Sequence, residues 1–102
     1  MDEFACEFDW DAAKAATNLA KHGVDFRQAA GVFNDPLALT VFDDAHSQSE
    51  ERWFTLGMTS EGRLLAVAHT FEHLTPTQAR IRIISAREAT RRERKDYEQT
   101  PQ

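Results

Sequence analysis

Arg80-Ile81-Arg82-Ile83-Ile84-Ser85-Ala86-Arg87 is the stretch on which the fold turns. Cationic and β-branched residues alternate from 80 to 83, the two-residue period of a strand with one dry and one wet face. Arg80 and Arg82 therefore share one face, and Ile81 and Ile83 the other. A strand from Arg80 to Ser85 needs neighbours, and three upstream runs rich in β-branched and aromatic residues supply them: Leu39 to Asp43, Glu51 to Thr59 and Leu64 to Phe71. Ser60-Glu61-Gly62-Arg63 reads as a tight hairpin between the second and third, and Glu72 to Ala79, with Pro76, as a connection. Strands joined this closely are expected to pair antiparallel.

Further upstream the period changes. Glu7 to Trp10 alternates as a short strand, and Asp11 then caps a helix that runs to His22 and ends at Gly23. Ala12, Ala15, Ala16 and Leu19 form its apolar stripe, with Lys14, Asn18 and Lys21 opposite. Asp25 and Gln28 have capping-box spacing for a second helix, with Phe26, Ala29, Ala30 and Phe33 as its apolar stripe and Asn34-Asp35-Pro36 as its stop. Downstream, Ser85 and Glu88 repeat the box and open a final helix toward Glu98. The expectation is an α+β fold in which two N-terminal helices and one C-terminal helix cover a single face of an antiparallel sheet of about four to five strands. A chain of 102 residues with 41% hydrophobic and 28% charged residues fits one globular domain, residues 1–102, and is too apolar for a disordered chain.

The sequence shows no membrane-spanning run and no basic, apolar leader, so a cytoplasmic protein is expected. Cys6, the single cysteine, has no partner for a disulfide. His46, His69 and His73 lack the spacing of a metal set, so neither a metal nor another cofactor is expected, and no phosphate-binding glycine loop or serine-hydrolase elbow occurs.

The net charge of −5 argues against nucleic acid, but its distribution reverses that. Residues 80–95 hold seven cations and two anions, a net of +5, which leaves −10 for the rest. A local positive field of this kind attracts phosphate. Arg80, Arg82 and Arg87 converge on it, with Arg87 placed in the first turn of the last helix, where backbone N–H groups favour anions. Arg91, Arg94 and Lys95 continue the positive stripe. His22, beside Lys21, is a neutral-pH acid or base; Glu50 and Glu51, next to Arg52, offer a carboxylate base, with Glu51 the one assigned; Tyr97 can donate a proton or stack on a base. Ion pairing with the acidic body explains the same arginines without any function.

Two blocks resemble one family. Phe8-Asp9-Trp10-Asp11, Lys14, Asn18 and Lys21-His22-Gly23-Val24-Asp25-Phe26 with Ala29 form the first; Arg82-Ile83-Ile84-Ser85-Ala86-Arg87, Ala89, Glu93-Arg94 and Tyr97 form the second. In order and spacing they resemble the BrnT toxins of bacterial type II toxin-antitoxin modules. The resemblance implies a RelE-like fold, RNA cleavage that arrests translation, and neutralisation by a BrnA-like antitoxin that itself binds DNA, in a two-plus-two assembly. RNA, free or presented by the ribosome, is then the substrate, and DNA is met only through the antitoxin. Metal-independent cleavage assigns Arg82 and Arg87, supported by Arg80, to transition-state charge; His22, Glu51 and Tyr97 to acid and base; and Lys21, Arg91, Arg94 and Lys95 to the RNA backbone. A non-catalytic nucleic-acid-binding or protein-interaction module is the alternative.

Overall fold

A computed structural model describes residues 5–46 and 50–99. Helix α1 (Ala12–His22) starts at Asp11, whose carboxylate accepts from the Lys14 N–H at 2.9 Å, and ends at Gly23, whose φ of 68° is the left-handed conformation a glycine adopts without strain. Helix α2 (Phe26–Ala30) opens on the full Asp25–Gln28 capping box and tightens into a 3₁₀ turn, Gly31–Asn34, before Asp35.

Helix α1 is rolled relative to expectation. Leu19 is 49% exposed, whereas Asn18 is only 6% exposed. Its amide donates to the carbonyls of Ala86 (2.8 Å) and Val24 (3.1 Å), and its oxygen accepts from the Ala86 N–H at 3.1 Å. The side chain thus acts as a one-residue strand partner. Turning an alanine stripe inward would bury little apolar area, whereas leaving those backbone groups dry and unpaired costs more.

The sheet is mixed and six-stranded: β1 (Ala5–Asp9), β2 (Leu39–Phe42), β3 (Trp53–Met58), β4 (Leu64–His69), β5 (Glu72–Thr75) and β6 (Gln78–Glu88), in the order β1-β6-β4-β3-β2 with β5 also on β6. Three expectations are corrected here. β1 runs parallel to β6, Glu7 opposite Arg80 and Asp9 opposite Arg82; α1, α2 and strands β2 to β5 lie between them in the chain, far more than the crossover a parallel pair requires. The stretch after Phe71 is strand β5, not a plain connection. The last strand does not stop at Ser85: Ser85 pairs with Ala68 and Glu88 with Leu65, so cross-strand pairing overrides the local Ser85–Glu88 box. The same Ser/Thr-x-x-Glu pattern recurs five residues later, and Thr90 with Glu93 is the box that forms, opening helix α3 (Arg91–Gln99).

One face of the sheet packs on α1, α2 and the 3₁₀ turn through Val24, Phe26, Ala29, Val32, Leu65, Val67, Ile83 and Ala86. Helix α3 lies on the opposite face, not beside α1 and α2, since Glu93 and Asp96 border the side chains of Leu39, Val41, Phe54 and Leu56 that alternate away from that core. Gly57 lets β3 pass close to the 3₁₀ turn: a Cβ there would sit 2.9 Å from both the Cβ and the carbonyl oxygen of Val32. Gly57→Ala should therefore destabilise the fold by about 1–3 kcal/mol, the usual cost of overpacking; urea unfolding of the variant measures it.

Candidate active site on the open sheet face

A β-bulge assembles the arginines. Residues five apart on a regular strand project to opposite faces, which would separate Arg82 from Arg87. Ala68 pairs with Ser85 but His69 with Ile83, leaving Ile84 as an extra residue. Ile83 and Ala86 consequently both enter the core, and Arg80, Arg82 and Arg87 all lie on the face that α1 and α2 leave open. Bulges commonly re-aim side chains beside active sites.

Arg80 and Arg82 border a polar cavity of about 280 Å³ with Asp9, Glu50, Thr70 and Glu72. The two cations differ. Arg80 is held between Glu7 and Glu72, each at 3.5 Å, whereas Arg82 makes no ion pair among the described residues. The Thr70 N–H donates to the Arg82 carbonyl at 2.9 Å and ties the two walls together. A guanidinium with unspent donors facing carboxylates suits an anionic group that must also lose a proton.

Arg87 is not at a helix start. It ends the strand and forms a bidentate pair with Glu93 at 2.7 and 3.0 Å, 6.0 Å above the Phe54 ring. The hydrogen bonds from Arg87 hold the Glu93 carboxyl down to about 2, and Glu93 raises Arg87. Between this pair and β2–β3 lies a groove of about 350 Å³ with Leu39, Val41, Phe54, Leu56 and Ala66 as its apolar lining.

Tyr97 does not face Arg82. Its hydroxyl donates to Asp35 at 2.6 Å, a bond that pushes its pKa up to about 12, so at neutral pH it keeps its proton. Burial works to raise Asp35, but hydrogen bonds from Tyr97 and the Met58 and Leu37 N–H groups outweigh it and lower the carboxyl. No residue of α3 is buried, so the helix rests on these two polar clasps. Glu93 and Asp35 are depressed in the fold, so their contribution is full above the ordinary carboxylate range and is lost as pH falls through it. Tyr97 is raised, so its contribution is full below pH 10 and disappears toward 12. Hydrogen exchange should accordingly show residues 91–99 losing protection between pH 4.5 and 2 while the sheet keeps its own, and Glu93→Gln should remove much of that acid transition.

The other sequence candidates scatter. Lys21 and His22 are exposed at the end of α1, on the far side of the sheet from Arg82. Glu51 is exposed but outside the Arg82 cavity, where its neighbour Glu50 stands instead. Arg91, Arg94 and Lys95 line a shallow surface on α3 with Arg92 and Glu98. His69 is buried: its Nδ1–H donates to the Thr70 carbonyl at 2.9 Å, its Nε2 accepts from Thr55 at 2.7 Å, and burial lowers its pKa, which makes it a neutral support beneath Thr70. Glu50 is legible in the sequence as a carboxylate close to Arg52, but Asp9 and Thr70 carry no sequence signal as neighbours of Arg82; the pairing of β1 and of Thr70 with β6 brings them there. Among the described residues no group of three or more His, Cys, Asp or Glu side chains is gathered as for a metal ion.

No curated protein sequence matches the chain. A crystal structure of the Brucella abortus ribonuclease toxin BrnT shares its fold, with a TM-score of 0.58 and 24% identity over 82% of this chain and 96% of that one. The family model described as the ribonuclease toxin, BrnT, of type II toxin-antitoxin systems matches residues 10–93, from Trp10 through the Glu93 that clasps Arg87. By that match the chain belongs to the BrnT ribonuclease toxin family of type II toxin-antitoxin systems.

Proposed function

We propose that this protein is a cytoplasmic, metal-independent endoribonuclease that arrests translation, cuts RNA on the open sheet face, and is held in check by a BrnA-like antitoxin in a two-plus-two complex. The observation that carries the reading is Arg82, a cation without an ion-pair partner among the described residues, set in a cavity with carboxylates. Cleavage without a metal proceeds by loss of the 2′-OH proton, attack of that oxygen on the adjacent phosphorus, and departure of the 5′-oxygen with a proton, leaving a 2′,3′-cyclic phosphate. Arg82, with Arg80 behind it, stabilises the extra negative charge of the pentacoordinate phosphorane. Glu50 is better placed than Glu51 to take the proton, because it shares the Arg82 cavity. Arg87 serves the transition state only if RNA phosphate displaces Glu93. Arg91, Arg94 and Lys95 hold the flanking backbone, whereas Lys21 and His22 stand on the other face and play a smaller part.

Inducing the gene and mapping transcript ends by primer extension tests the reading, together with incubation of purified protein and RNA in EDTA. Growth arrest, new 5′ ends and cleavage in chelator are expected. Healthy growth with intact transcripts despite folded protein would overturn it, and salt-sensitive RNA binding without cutting would mark a non-catalytic module.

A further inference from the structure

His69 lies where β4 and β6 change register, and it takes no part in the phosphate chemistry. It pairs with Ile83 while Ala68 pairs with Ser85, so the bulge that brings Arg82 and Arg87 to one face closes at this residue. Its side chain is turned the other way, into the core, where it is only 2% exposed and meets the Phe33 ring edge-on at 4.8 Å. Both ring nitrogens are engaged, and their partners fix the direction of each bond. The Thr70 carbonyl, 2.9 Å from Nδ1, can only accept, so Nδ1 carries the proton. In the neutral ring Nε2 then accepts from the Thr55 hydroxyl at 2.7 Å, which leaves the Thr55 oxygen to accept from Thr40 at 2.8 Å. Every member is satisfied, and a satisfied buried network specifies one arrangement of the backbone it grips.

That backbone is Thr70. Its N–H donates to the Arg82 carbonyl at 2.9 Å and its C=O accepts from His69, so both peptide groups flanking Thr70 are held. Thr70 in turn borders the Arg82 cavity. We infer that His69 is a positioning residue for RNA cleavage: from the core side of the sheet, its Nδ1–H fixes the Thr70 backbone and, through it, the place of Arg82 at the phosphate. The inference rests on the RNA-cleavage reading and adds to it a residue on the opposite face that touches neither substrate nor reacting atoms. A core histidine kept only for packing would act through its volume and its hydrogen bonds together, with no preference between the nitrogens. Here the two differ, since Nδ1 holds the wall of the site and Nε2 holds Thr55 on β3.

The test compares two substitutions in the full-length protein. His69→Asn keeps a donor near the Nδ1 position and loses the bond to Thr55, whereas His69→Gln can reach Thr55 and loses the bond to Thr70. Both open space in the core, so both should melt below wild type. At a temperature where both are folded, His69→Gln should lower kcat for RNA about tenfold to a hundredfold with KM little changed, the scale of a small misplacement of a catalytic group. His69→Asn should recover most of that rate. Hydrogen exchange at the Thr70 amide should quicken in His69→Gln and much less in His69→Asn. The wild-type protein carries a check of its own: nitrogen NMR of the His69 ring at neutral pH should show a protonated Nδ1 and a bare Nε2. Equal rates for the two variants, or rates that follow melting temperature alone, would overturn the inference. A proton on Nε2 in the wild type would overturn it too, even if neither variant folds. Absence of cleavage by the folded wild-type protein would remove the RNA reading and this inference with it, a result distinct from a cleaving wild type with indistinguishable variants.

Discussion

Asn18→Leu should lower the melting temperature by roughly 12–25 °C, the largest effect expected of any single polar substitution in the chain. The change strips three hydrogen bonds and takes this partner from three buried groups, the N–H and C=O of Ala86 and the C=O of Val24. Each orphaned group costs about 1–3 kcal/mol, so a total of at least about 3 kcal/mol is expected from a domain whose whole stability is on the order of 5–15 kcal/mol. At about 4–8 °C per kcal/mol for a domain of this size, the shift is large and easily read by calorimetry. Leu19→Ala, one residue along and half exposed, should change stability much less. If the two variants melted alike, Asn18 would not be the strand surrogate that its geometry describes.

Arg82→Ala should cut RNA cleavage and toxicity about a hundredfold or more, the usual cost of removing one preorganised transition-state contact. Its stability should move by no more than about 0.5 kcal/mol, because the side chain is exposed. Arg82→Lys should restore only part of the rate, since an ammonium offers no planar fork to the phosphate. Arg87→Ala should behave differently. It frees Glu93 and loosens α3, so it should lose helix protection as well as activity, whereas sequence alone treats the two arginines as equals. A melting curve and a cleavage rate for each variant separate the cases.

Much of the fold is legible because short-range rules decide it. Asp11, Gly23 and the Asp25–Gln28 box set helix ends through bonds within a few residues, and the Arg80–Ile83 alternation reports its two faces directly. What the sequence hides is settled at long range. Two Ser/Thr-x-x-Glu boxes compete for the last helix, and only the pairing of Ser85 with Ala68 shows why the first loses. The extra residue at Ile84 inverts the parity that a regular strand implies, so the common face of Arg82 and Arg87 cannot be read from their spacing. Asn18 looks like a surface residue until the open edge at Ala86 claims it. Of the candidate site, the arginines are visible as a charge run and Glu50 as a carboxylate near Arg52, but Asp9 and Thr70 become neighbours of Arg82 only through pairing with β6.

RNA is expected to meet the open sheet face at Arg82. The most direct test is a nuclear magnetic resonance titration of labelled protein with a 2′-O-methyl RNA oligonucleotide, which binds but lacks the 2′-OH needed for cleavage. Shift changes should concentrate at Asp9, Thr70, Arg80 and Arg82 and spread to the cations of α3, with little change around Lys21 and His22. Perturbation centred on Lys21 and His22, with Arg82 and Thr70 unmoved, would contradict it.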